Sequence, residues 1–177
     1  QYARDYGHHN NYEQRRNRNG GGINMNKWKN LKKCTFIDEI YIDDENGNAI
    51  VIVDTKERNV TYKDEEAKTD DNIQKMITDI FNNLRVYQVE NRCMNKEQYE
   101  GREQCNQCSF DLQQDYINAE SEEEAIRLGM EWLVEDIRDH TCYNVEIEDD
   151  EIIITDDEDE IVEVYYDFTV RDMTDYL

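Results

Sequence analysis

The sequence predicts an α+β fold: antiparallel sheet carrying two helices, in the order βββ-α-β-β-α-βββ, behind a disordered basic N-terminal arm. Three observations lead there. Apolar and polar residues alternate in short runs toward both ends of the chain, as in Phe36, Ile40 and Ile42 or in Val145 and Ile147. Two longer stretches repeat apolar residues at helical spacing: Ile73, Ile77, Ile80, Phe81 and Leu84, then Ile126, Met130, Leu133 and Ile137. The first 24 residues show neither period and are rich in Asn, Arg, Gly and Tyr.

The arm is expected over 1–33, with a break at Gly20-Gly21-Gly22 and with Trp28 and Leu31 as anchors to an acidic body over 34–177. That body divides into two small halves, 34–92 and 105–177. "TFIDEIYIDDENGNAIVIVDT" reads as one β-hairpin, because Asn46-Gly47 supplies the positive-φ pair of a two-residue type I′ turn. A third strand follows at Val60–Tyr62. The first helix is expected over 71–84, capped by Thr69 or Asp70. "LRVYQVEN" and "SFDLQQDYIN" read as strands on either side of a polar loop. Ser121 and Glu124 form a capping box for the second helix, in which each side chain satisfies the other residue's backbone N–H. Gly129 lies beside that helix's apolar stripe, where close packing on sheet is favoured, and Arg138 and His140 sit at its negative end. The remaining strands, "YNVEIE", "EIIIT" and "IVEVYYDFTV", form a meander. Val145, Ile147, Ile152, Ile154, Val162, Val164, Tyr166 and Phe168 are expected on its buried face. Glu146, Glu148, Glu151, Glu163 and Asp167 are expected opposite.

Composition narrows the class. The chain has 177 residues, 37% of them hydrophobic and 36% charged. Its 10% aromatic content argues for a folded body, since disordered chains are poor in aromatics. No apolar run approaches the length of a membrane span, and the first residues carry no apolar stretch of the secretory type. Five cysteines, an odd number without such a signal, fit a reducing interior. The chain has no proline and is rich in Asn, Ile, Lys and Asp, which points to AT-rich coding and a phage, mobile-element or low-GC bacterial source. The net charge is −23 and is unevenly spread. Residues 1–33 carry eight basic and two acidic residues, a net +6, which leaves −29 on residues 34–177.

Chemistry-bearing patterns are sparse. Cys93, Cys105 and Cys108 have C-x11-C-x2-C spacing, and the C-x2-C step is one that a zinc knuckle uses. Cys142 is the expected fourth ligand, with His140 as the alternative and Cys34 as a weaker one. Free thiols in a polar loop are the competing reading. "CNQC" precedes a strand rather than opening a helix, so a thioredoxin-like role does not fit. "DDENGN" fails as a calcium loop, because Ile42 and Val53 would occupy its first and twelfth positions. No glycine-rich phosphate loop is present, and His140 with Cys142 is the one nucleophile–base pairing in the body, with no third group indicated. A non-enzymatic protein is expected.

The charges carry the functional expectation. Eleven of the 18 residues from Glu146 to Glu163 are acidic. Glu148, Asp149, Asp150, Asp156, Asp157, Glu158 and Asp159 are expected to present a row of carboxylates to the basic groove of a nucleic-acid-binding protein or ribonucleoprotein. Arg15, Arg16 and Arg18, with tyrosines interleaved, suit contact with RNA or single-stranded DNA. The expected function is a blocking protein of the anti-restriction or anti-CRISPR type, acting by electrostatic mimicry inside a bacterial host. Two alternatives stand beside it: a virion or assembly component whose arm binds a neighbouring subunit, and a zinc-stabilised nucleic-acid-binding module.

Overall fold

The computed structural model describes residues 27–95, 112 and 116–177. The expected α+β class is correct: the described residues form two antiparallel sheets, of four and five strands, with two α-helices.

The first half runs β1 (Lys32–Phe36), β2 (Glu39–Asp43), β3 (Ala49–Asp54) and β4 (Asn59–Tyr62), paired in that order, then a short 3₁₀ turn and α1 (Asp71–Asn83). It has one strand more than expected. The chain folds back at Ile37–Asp38 so that Phe36 faces Glu39, and Asp38 takes φ 61° there. Aspartate tolerates this left-handed conformation better than most residues. β1 therefore starts inside the segment assigned to the arm. Trp28 and Leu31 pack on the first core, and Lys27 Nζ reaches Asp64 at 3.0 Å and Glu66 at 2.7 Å, so 27–33 belong to the body.

The β2–β3 connection also departs from the type I′ expectation. It is a five-residue loop, Asp44 to Asn48, in which Gly47 alone is left-handed (φ 82°) and donates its N–H to the Asp44 carbonyl. Asp44 Oδ1 accepts the N–H groups of Asn46 and Asn48, both at 2.9 Å, so one carboxylate satisfies two loop donors. Those bonds hold its carboxyl below the usual range, the Asn48 side chain contributing most. α1 is capped as expected: Asp70 Oδ1 accepts from Asn72 and Ile73. Ile73, Ile77 and Ile80 bury their side chains with Ile40, Ile42, Val51 and Val53.

The second half contains β5 (Arg85–Asn95), β6 (Tyr116–Ala119), α2 (Glu122–His140), β7 (Asn144–Glu148), β8 (Glu151–Thr155) and β9 (Ile161–Asp172). The sheet order is β6-β5-β9-β8-β7. β5 pairs with β9 from Tyr87↔Asp172 to Asn95↔Glu163, so the halves divide at Leu84–Arg85 and not at 92. Only the end of the strand expected over 109–118 is described, as part of β6.

α2 covers one face of this sheet. Ser121 Oγ accepts from the Glu124 N–H at 3.1 Å, but Glu124 Oε2 accepts from Glu120 N–H, one residue before the expected partner. Three of the four expected stripe residues, Met130, Leu133 and Ile137, are buried together with Leu128 and Val134, while Ile126 is only partly buried against the same core. A Cβ at Gly129 would stand 3.2 Å from Ile117 Cδ1 and Val89 Cγ1 and 3.3 Å from Leu112 Cδ1, so its hydrogen is what lets the helix sit this close.

β9 departs from the expected alternation between Glu163 and Tyr165, while Val162 and Phe168 pack against the second core as expected. Register shifts lie between Ile154 and Thr155 on β8 and between Glu90 and Arg92 on β5, and Asp167 takes φ 51°. Each inserted residue flips the faces beyond it. Tyr165, opposite Ile152, is fully buried in the core, and its hydroxyl donates to Glu163 at 2.6 Å. Glu163 faces Ile154 and so lies on the α2 side, not with Glu146 and Glu148. Val164 is buried on the opposite face from Ile152. Ile147, expected inside, is 47% exposed.

The two halves touch where β1 meets the start of α2. Lys33 Nζ pairs with Glu120, Arg127 Nη2 donates to the Thr35 carbonyl at 3.0 Å, and Ile37 packs against the second core.

Candidate partner-binding surface

The division at Leu84 shows how charge is distributed. Residues 27–84 hold nine basic and 13 acidic residues, a net −4, whereas residues 85–177 hold seven basic and 28 acidic, a net −21. The seven acidic residues singled out from the sequence all belong to the second half, but they do not form one strand-borne row. Glu148, Asp149 and Asp150 lie at the β7–β8 turn, with Asp149 at φ 51°. Asp156 to Asp159 lie at the β8–β9 turn, with Asp159 at φ 59°. The clusters thus occupy opposite ends of β8, roughly 14–17 Å apart at strand rise.

The β8–β9 turn repeats the β2–β3 loop. Asp156 Oδ1 accepts the N–H groups of Glu158 (2.9 Å) and Glu160 (3.0 Å), and the Asp159 N–H donates to the Asp156 carbonyl. Asp156 is thereby committed to holding the turn. Asp157, Glu158 and Asp159 form no ion pair with the described residues, and neither do Glu148, Asp149 and Asp150. The cations go elsewhere: Lys27 and Lys68 to the first half, Lys33 to Glu120, Arg127 to Glu131 and Arg92 to Asp167. With no ion pair to these six carboxylates among the described residues, although Arg138 lines the same depression as Asp159, the excess of acidic residues leaves a negative field at both turns.

Beside the β7–β8 turn lies a groove of about 950 Å³ that sequence reasoning missed. Its floor is Ile126, Met130, Ile147 and Phe168, and its rim includes Glu122, Glu123, Asp149 and Asp150. Ile126, at the edge of the α2 stripe, and Phe168, on the α2 side of β9, are both only partly buried against the second core. The sequence assigns both to buried faces, so apolar spacing alone does not show that they border a groove.

The three described cysteines, Cys34, Cys93 and Cys142, do not come together. Cys93 is buried and disulfide-bonded, while Cys34 and Cys142 are free thiols. Cys93 on β5 and Cys142 before β7 are separated by two intervening strands, roughly 14 Å across the sheet before any offset along it. The expected fourth ligand is therefore not brought to Cys93. Cys105 and Cys108 lie outside the described residues, as do Arg15, Arg16 and Arg18. Burial, and then the Asp43 carboxylate 3.6 Å away, push the Cys34 thiol up, so it is protonated at neutral pH. His140 is exposed on the last turn of α2, its Nδ1 2.8 Å from the Asp136 carbonyl and 3.2 Å from Asp136 Oδ1. Among the described residues no three His, Cys, Asp or Glu side chains gather as a metal site. No described helix is long and apolar enough to cross a membrane.

These features define a class: a two-sheet α+β protein whose second half carries a strongly acidic surface. Comparison of the chain with protein-family models, with curated proteins and with solved structures finds no match in any of the three.

Proposed function

We propose that this chain is a non-enzymatic interaction protein, encoded by a phage or mobile element, that blocks a nucleic-acid-handling protein by mimicking the charge of nucleic acid. The observation that carries the reading is the pair of acidic turns at the two ends of β8, with six carboxylates unpaired among the described residues. Their separation is on the scale of a duplex major groove, about 12 Å wide. A basic groove built to hold two rows of phosphate would meet two separated clusters of negative charge here. The short two-residue turn and the capped five-residue turn hold the carboxylates on a paired ribbon, so less ordering is needed on binding.

The test is affinity capture from the source cell, at low and high salt, with duplex DNA or RNA added as competitor. The partner should be a nucleic-acid-binding protein, released by added nucleic acid and by salt. A captured partner that nucleic acid fails to displace, even in excess, would refute mimicry.

A further inference from the structure

We infer that the groove between α2 and the β7–β8 turn is the docking site of this chain's own N-terminal segment, residues 1–26. The groove asks for an occupant that is apolar below and cationic at its edges. Ile147 lies on the core face of β7 and is nevertheless 47% exposed, beside Ile126, Met130 and Phe168. On the rim, Glu122, Glu123, Asp149 and Asp150 form no ion pair with the described residues. Residues 1–26 match both demands: Arg4, Arg15, Arg16 and Arg18 outnumber Asp5 and Glu13, and Tyr2, Tyr6 and Tyr12 lie among them. A tyrosine ring covers apolar floor while its hydroxyl stays at the polar rim, and a guanidinium takes a carboxylate through two hydrogen bonds.

Reach permits this within one molecule. β1 lies along the start of α2, with Lys33 on Glu120 and the Thr35 carbonyl on Arg127, itself a lining residue of the groove. Lys27 is six residues before Lys33, roughly 20 Å of chain at most, and 26 residues extend up to about 90 Å. Tethering raises the segment's effective concentration at the groove to the order of millimolar, so weak contacts suffice. Docking of this kind occupies Asp149 and Asp150, two of the six carboxylates assigned above to the partner, so a partner engaging the β7–β8 turn has to displace the segment there, while the β8–β9 turn stays free of it.

The test uses the full chain with a photo-crosslinking benzophenone amino acid in place of Tyr6 or Tyr12, irradiated in dilute solution and mapped by mass spectrometry. Adducts are expected within the same molecule, on Met130, Ile147 or Phe168, and should fall severalfold at high salt and in the Ile147→Glu background. Ile147 is half exposed, so that variant should keep its fold, which circular dichroism verifies. Adducts confined to other surfaces, adducts formed only between molecules, or groove adducts indifferent to both salt and Ile147→Glu would overturn the inference.

Discussion

Asp159 and Gly47 occupy equivalent left-handed positions in two loops of the same construction, at φ 59° and φ 82°. A Cβ in this conformation costs about 2 kcal/mol for alanine but only about 1 kcal/mol for aspartate, whose short polar side chain tolerates it, while glycine costs about 1 kcal/mol through the unfolded chain's freedom. Asp159→Gly should therefore change stability by less than about 0.5 kcal/mol, and Gly47→Ala should cost about 1 kcal/mol in urea denaturation. Thr55 is 1% exposed, and its hydroxyl oxygen has no hydrogen-bond partner among the described residues. Thr55→Val removes that buried polar group at nearly constant shape and should stabilise by about 1 kcal/mol, read as a higher urea midpoint. His140 titrates above its ordinary 6.5, because of the Asp136 carbonyl first and the Asp136 carboxylate second. A pKa raised on folding adds stability that is complete below 6.5 and disappears as pH rises through the folded value. Urea midpoints measured from about pH 5.5 to about pH 8.5 should show that decline in the wild type, and it should be absent in His140→Gln.

Helix α2 is the element on which the second core depends. Its close seat on Val89, Leu112 and Ile117 rests on Gly129, where three carbon atoms stand within 3.3 Å of a hypothetical Cβ. Gly129→Val needs still more room in a packed core and should cost about 2 kcal/mol or more, with loss of cooperativity in thermal unfolding as the measure. The helices are the most legible elements because periodicity and caps coincide: Asp70 and Ser121 sit immediately before the apolar stripes. Strands are legible in number and place, less so in facing. Alternation assigns Val164 inward and Tyr165 outward, and the bulges at either side of that segment make Tyr165 the core residue. Nothing in the local sequence marks a bulge when its left-handed residue is Asp167 rather than glycine. The turn at Asp38 hides a strand for the same reason.

At the scale of the molecule, the sequence reveals the charge but not its arrangement. Composition alone points to the acidic residues from Glu148 to Asp159. Their division into two turns at the ends of β8 depends on pairing, and the groove beside one of them depends on how α2 lies on the sheet. The cysteine spacing suggests a single cluster, yet sheet order puts two strands between Cys93 and Cys142. Binding of a basic partner by the two acidic turns is best tested by charge removal. A variant with Glu148, Asp149, Asp150, Asp156, Asp157, Glu158 and Asp159 changed to Gln or Asn keeps side-chain shape. Asp156→Asn within it retains a carbonyl oxygen to cap the turn. The quantity to measure is this variant's affinity for the captured partner across a salt series. Affinity should fall by about a hundredfold or more, with a flatter salt dependence. Unchanged affinity with an unchanged salt slope would show that the acidic turns are not the binding surface.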